Sequence, residues 1–379
     1  METIKLSPSV LDWAAAQAGR SLVDLAQSLS QRGAQKILEG ALTYAQAVRF
    51  AKRVGVSLGD LFLDEPPPPR ALPLVDFRTP WRASPLSRDF FATYDDVSFK
   101  QAWYREYKHA QGYEPLSFVG KYKNQKPTVE NMAKEIRETL NFSEADLHAL
   151  RNADELFTCL AKKCEDLGIL VFKNGVVGNN NKRPLSVTEF RGFALADEFA
   201  PVVFINGADA SAAWAFTLAH ELVHLWLGDS GVSDVEPEPN NDIERYCNAV
   251  AAELLVPQEQ FEARWLEFQH LEAQERINAV RKAFKVSGLV IARTAFGLGY
   301  IDAELLHLIY DAARIKKGSG TGGGDFYRTL TTRNSKRFST EISELAVSGG
   351  ITLGYAGRLL NTNPNNIVKL YAKQHALPV

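Results

Sequence analysis

Trp214-Ala-Phe-Thr-Leu-Ala-His-Glu-Leu-Val-His-Leu-Trp-Leu-Gly228 is an apolar run interrupted by Thr217 and three ionisable side chains, His220, Glu221 and His224. Four residues of α-helix turn through about 400°, so the two imidazoles of this H-E-x-x-H pattern stand one above the other on a single face. Two neutral imidazoles placed in this way can bind one Zn²⁺, with Glu221 on the side where a bound water would lie. The flanks predict a helix: Asp209 or Ser211 caps its start, apolar residues run almost all round it, and Gly228 ends it. Such a helix belongs inside a domain, where two polar rings need partners. Either the histidines bond to backbone carbonyls and match a five-residue pattern by chance, or they hold a metal.

A catalytic zinc takes three protein ligands and leaves a fourth position to water, so a third ligand is required. Asp242-Ile-Glu-Arg-Tyr-Cys-Asn-Ala-Val-Ala-Ala-Glu-Leu-Leu-Val-Pro257 reads as a second helix stopped by its proline. Glu244, Cys247 and Asn248 fall at i, i+3 and i+4, on one face with Ala251, Ala252 and Leu255. The small alanines allow this helix to pack closely on the first. Glu253 falls half a turn away, and Glu236 and Glu238 lie in a Pro-rich, solvated loop. Glu244 is the expected third ligand, which leaves Glu221 as the catalytic carboxylate.

The succession His220-Glu221-x-x-His224, then Glu244-x-x-Cys247-Asn248-x-x-Ala251-Ala252-x-Leu254-Leu255-x-Pro257, resembles the ImmA/IrrE family of metallo-endopeptidases. Gly192-Phe193 and Pro201 to Asn206 before it are similar to strands of that family. So are Phe284, Val286-Ser287, Arg293 and Leu298 to Ile301 after it. The resemblance implies a zincin-like peptidase domain that cleaves a cognate Xre-type repressor and so releases stress-response or mobile-element genes. Within it Zn²⁺ would sit on His220, His224 and Glu244 and Glu221 would act as general base; no residue is assigned to the oxyanion, for which Tyr246 and Tyr300 are the candidates. A binding role is the alternative. Fused helix-turn-helix and peptidase proteins of this architecture resemble antitoxin partners of small ribonuclease toxins, in which proteolysis is secondary or absent.

The expected fold class is mainly α with a small β-sheet (α+β). Residues 1–64 read as an all-helical domain whose order of helices, from Pro8 onward, resembles the helix-turn-helix of Xre-type repressors. Its candidate DNA contacts are Gln31, Arg32, Gln35 and Lys36. Leu38 stands where that family carries Trp before Glu39-Gly40, and the recognition segment is contracted, so a bundle used for dimerisation or protein contact is the competing reading. Residues 65–85, with Pro66 to Pro69, form a stiff linker, and 86–150 a helical connecting region. The aromatics there, Phe90 to Tyr107, have the spacing of core residues rather than of a base-stacking platform.

The peptidase domain is expected over 151–315. A helix from Asp154 leads into short strands at Ile169 to Phe172, Val176-Val177, Gly192 to Ala196 and Val202 to Ile205, broken by a turn at Asn179 to Pro184. Phe193 to Ala196 or Val202 to Ile205 would be the edge strand that takes a substrate backbone by strand addition. Residues 316–324 form a glycine-rich linker and 325–379 a separate helical region. With 379 residues, 45% of them hydrophobic and 23% charged, the chain can bury more than one core. A net charge of −2 excludes a global basic field for nucleic acid or anionic membrane, so operator DNA would need a local patch within 7–64. No leader-like or membrane-spanning apolar run is present, and three cysteines without metal-knuckle spacing fit buried thiols in a reducing cytoplasm.

Overall fold

The computed structural model describes residues 3–68, 70–72, 74–78, 86–233, 241–315 and 325–375. The expected glycine-rich linker at 316–324, the loop acids Glu236 and Glu238 and much of the proline-rich linker lie outside them. The chain divides into two compact units, Met1–Pro73 and Leu74–Val379.

In the first unit, β1 (Ile4–Lys5) precedes α1 (Pro8–Gln17), α2 (Leu22–Leu29), α3 (Ala34–Leu38), β2 (Ala41–Leu42) and α4 (Tyr44–Val54). Helix starts are set by short polar side chains. Ser21 accepts the Val23 N–H ahead of α2, and Thr43 with Gln46 forms a capping box ahead of α4. Val10, Leu11, Leu25, Ile37, Phe50 and Leu61 close a small core. The unit is not purely helical as expected. Ile4 pairs with Leu42 and Lys5 with Ala41 in an antiparallel ladder, reached through Gly40 at φ 85°. Gln31 and Arg32 lie in the turn before α3, Gln35 and Lys36 lie on it, and all four side chains are exposed. The Gln35 amide donates to Glu39.

The second unit begins with β3 (Val75–Asp76), followed by α5 (Arg88–Ala110), α6 (Val129–Thr139), α7 (Glu144–Ala149) and α8 (Ala153–Leu167). Next come β4 (Leu170–Asn174), β5 (Val176–Val177), β6 (Asn180–Pro184), β7 (Gly192–Leu195), β8 (Val202–Asn206), α9 (Ser211–Leu227) and β9 (Gly231–Ser233). Of the stretch expected as a turn, Asn179 does turn, together with Gly178 at φ 54°, but Asn180 to Pro184 is β6, which pairs antiparallel with β5. The main sheet has the order β3-β9-β7-β8-β4, with β3 parallel to β9, β4 parallel to β8, and β7 antiparallel to both of its neighbours.

Every residue of β7, β8 and β9 is buried, which explains their unbroken apolar runs: both faces of the sheet are covered. Side chains alternate between two layers. Val171, Ala194, Val203 and Ile205 join the core around α9. Phe193 and Phe204 stack on the other face, 4.8 Å apart, and meet Phe90 of α5 through Phe193 and Phe190. The aromatics of α5 are therefore packing residues, as their spacing predicts.

Past the sheet lie α10 (Asp242–Leu255), α11 (Gln258–Glu267), α12 (Ala273–Phe284), α13 (Gly288–Gly297) and α14 (Ala303–Ile315). The C-terminal helices are α15 (Phe326–Arg333), α16 (Lys336–Val347), α17 (Leu353–Leu359) and α18 (Asn365–Gln374). Expected as a region apart, they pack on the second unit instead. Phe338 lies against Phe172 of β4 and Trp103 of α5, and the buried Lys100 ammonium reaches Asn334. Among the described residues no helix is long and apolar enough to cross a membrane.

Candidate metal centre

Helix α9 is held by burial more than by capping. Ala210 occupies its N-cap, and neither Asp209 nor Ser211 caps it as expected. Asp209 is engaged by Arg191 at 2.8 Å. From Ala215 to Leu227 every side chain is buried, with Trp226 stacked on Phe118 at 4.5 Å. Gly228 ends the helix at φ 73°, where a Cβ would also come within 2.9 Å of Gly120 Cα, so conformation and close approach both require glycine. On α10, Asn241 accepts the Ile243 N–H, and Glu244, Cys247, Asn248 and Ala251 form the buried face that lies against α9.

The two helices bring three side chains to one point. His220 Nε2 lies 3.2 Å from His224 Nε2 and 3.2 Å from Glu244 Oε2, and His224 Nε2 lies 3.1 Å from Glu244 Oε1. Tetrahedral zinc with ligands at 2.0–2.1 Å sets neighbouring donor atoms about 3.3 Å apart, so this spacing fits such an ion. The outer nitrogens are also engaged: His220 Nδ1 is 3.1 Å from Asn248 Oδ1, and His224 Nδ1 is 4.0 Å from Cys247 Sγ. Asn248 Oδ1 can accept from His220 Nδ1–H, which turns that ring's Nε2 toward the carboxylate. Two ring nitrogens and a carboxylate buried at one point must share a cation, a proton or a metal ion, and the same three donors make up a metal ligand set.

Electrostatics separate the two carboxylates. Burial acts to raise Glu244, but His220 and His224 outweigh it and hold the acid at about 2. Burial also acts to lower the His224 imidazole, and its contacts with Cys247 and Glu244 overcome that and raise it. Glu221 goes the other way, pushed up to about 8 by burial, with His224 opposing and Glu244 reinforcing. Neither Glu221 oxygen has a partner at hydrogen-bond geometry, and Ser233 is the polar group beside it.

The floor beneath Glu221 is Gly192 of β7, where a Cβ would meet Glu221 Oε1 at 2.9 Å, Thr217 Cγ2 at 2.8 Å and the Phe204 carbonyl at 2.9 Å. Gly192→Ala is therefore expected to destabilise the protein by about 1–3 kcal/mol through overpacking. Urea unfolding measures this, and an unchanged midpoint would show that the helix yields freely.

Several expectations are corrected. Strands β7 and β8 are both interior, so neither is an edge that can add a substrate strand; the edges are β3 and β4. Strand order depends on pairings between distant segments, which local pattern does not encode. Tyr246 donates its hydroxyl to the Pro127 carbonyl, and Tyr300 lies exposed against Phe261 and Trp265, so neither bonds to the three donors. Cys164 and Cys247 are buried, but Cys159 is only half-buried. Glu253, as its place on the helix predicts, is not part of the donor cluster and accepts the Gln258 N–H.

The room expected for solvent is closed in this conformation. His220, Glu221, His224 and Glu244 are completely buried. Phe77, which the sequence places only in the junction after the proline-rich stretch, stacks its ring on His224 at 4.8 Å and 20°.

Residues 164–296, from the end of α8 to α13, match the peptidase M78 family model, described as the IrrE N-terminal-like domain. The matched segment contains His220, Glu221, His224 and Glu244, and its family is one of metallopeptidases of the ImmA/IrrE type. No curated protein and no solved structure matches the chain.

Proposed function

We propose that the chain is a zinc-dependent endopeptidase of the ImmA/IrrE type, with His220, His224 and Glu244 as metal ligands and Glu221 as general base. The observation that carries this reading is the meeting of two inward-facing Nε2 atoms and one carboxylate at 3.1–3.2 Å, with a partnerless carboxylate beside them. Zinc held there supplies Lewis-acid polarisation of a carbonyl and a water acidified towards about pH 7. Glu221, being no ligand and lacking a fixed partner, is free to take a proton from the attacking water and to return it to the departing amine.

Asn248 positions rather than reacts: it holds His220 through Nδ1 and lies 3.5 Å from Arg293 Nη1. Asn248→Ala is expected to weaken zinc binding by about 10–100-fold, as loss of an outer partner does. Chelator competition reads this, and unaltered affinity would remove the positioning role.

The proposed substrate is a cognate Xre-type repressor in the cytoplasm, with operator DNA a further partner of the first unit through Gln31, Arg32, Gln35 and Lys36. Incubating zinc-loaded protein with the products of neighbouring genes, followed by mass spectrometry of fragments, tests the substrate. A second reading, an antitoxin-like binder of a small toxin, is favoured by one observation, the complete burial of the four site residues. Stable capture of a neighbouring nuclease, without cleavage of any neighbouring product, would decide for it.

A further inference from the structure

Strand β9 forms the side of the site next to β7, with Gly192 opposite Ser233, and its outer edge is taken by β3. The ladder is two residues long, and at its ends the Val75 N–H donates to the Ser230 carbonyl at 3.1 Å and the Phe77 N–H to the Val232 carbonyl at 3.0 Å. Val75 itself is exposed, whereas Phe77 is buried on His224. The ring also rests on Gly231, where a Cβ would come within 2.1 Å of Phe77 Cε2. Arg78 closes the segment on itself, with Nε 2.9 Å and Nη2 2.7 Å from the Asp76 carboxylate and Nη1 3.3 Å from the Glu189 carbonyl.

We propose that Val75–Arg78 is a strap seated where an extended polypeptide substrate pairs with β9, with Phe77 filling the place of a large apolar substrate side chain and closing the site. This deepens the peptidase reading and rests on it. Three features that do not depend on one another converge here: the ladder on the strand beside Glu221, the ring on His224, and a glycine in β9 without which the ring has no seat. A parallel ladder only two residues long is what a competing strand can replace by offering the same backbone groups and a similar side chain. The inferred substrate class is an extended segment carrying an aromatic or large aliphatic residue, and a folded surface without a free strand is refused.

The test uses the full chain, metal-free, and the reagent diethyl pyrocarbonate, with modified histidines located by mass spectrometry at alkaline pH, where imidazoles are neutral. His109, His148, His270, His307 and His375 are exposed and act as internal references, whereas His220 and His224 are buried. Two variants approach the contact from opposite sides. Phe77→Ala removes the ring, and Gly231→Ala keeps the ring but denies its seat. In both, His224 is expected to react faster than in the parent by about tenfold or more, since reaction no longer waits for local opening. Cys164, buried on α8, stays unreactive to a thiol reagent if the fold is intact. His224 remaining as protected as in the parent, in both variants with Cys164 shielded, overturns the strap. Zinc added before the reagent shields His220 and His224 in every form if they are ligands. Unshielded histidines overturn the metal reading and leave the strap result standing.

Discussion

Glu221→Gln is expected to slow peptide-bond cleavage by about 10²–10⁴-fold, the range that general acid–base catalysis supplies, while zinc stays bound in the same amount. The two side chains have nearly the same shape, and Glu221 is not among the atoms that meet at the donor cluster. The substitution therefore removes a proton acceptor and leaves the ligand set untouched. The fold should tolerate it, because neither Glu221 oxygen holds a hydrogen bond whose loss would leave another group stranded. Parallel measurements of zinc content, thermal midpoint and cleavage rate separate the outcomes. Full cleavage by the variant would take the general-base role away from Glu221, and loss of zinc with loss of cleavage would make it a ligand instead.

The second large effect is on stability. With zinc at about 1,000 times its dissociation constant, a site present only in the folded chain contributes about 4 kcal/mol, and a chelator removes that stabilisation. The contribution follows from what the ion replaces. Two imidazoles and a carboxylate are enclosed at one point, and the ion joins all three. Glu244→Ala should therefore unfold at a midpoint that no longer responds to chelator, whereas the parent responds strongly. Unfolding scans with and without chelator measure both. An equal response in parent and variant would mean that stabilising zinc is bound elsewhere.

What could be read in advance differs between the helices and the sheet. Helices α9 and α10 follow from side-chain periodicity and from Gly228 and Pro257, and the meeting of His220, His224 and Glu244 follows from two faces that have nowhere else to be buried. The sheet resisted reading because both of its faces are covered. Its strands are unbroken apolar runs, and nothing local says that β7 and β8 are interior while a two-residue strand from before α5 forms an edge. Asn179 to Pro184 carries turn residues, yet only Asn179 turns, with Gly178, and Asn180 to Pro184 pairs as β6.

Within the site, the ligand set was legible and its surroundings were only partly so. Asn248 was placed on the correct face, but its contact with His220 Nδ1 depends on ring orientation, which spacing does not specify. Gly192 reads only as the start of a strand, and nothing near it in the sequence says that Glu221 lies above it. Phe77 lies in a proline-flanked stretch that reads as linker, and its partner His224 is far along the chain, so only tertiary structure reveals the contact.

Zinc K-edge X-ray absorption on the full-length protein, loaded with one equivalent, addresses the ligand set most directly. The expected spectrum has nitrogen and oxygen neighbours only, at about 2.0–2.2 Å, with the multiple-scattering signature of two imidazoles. A sulfur neighbour at about 2.3 Å would put Cys247 in the place assigned to Glu244, and an ion surrounded by water alone would leave His220 and His224 as core histidines.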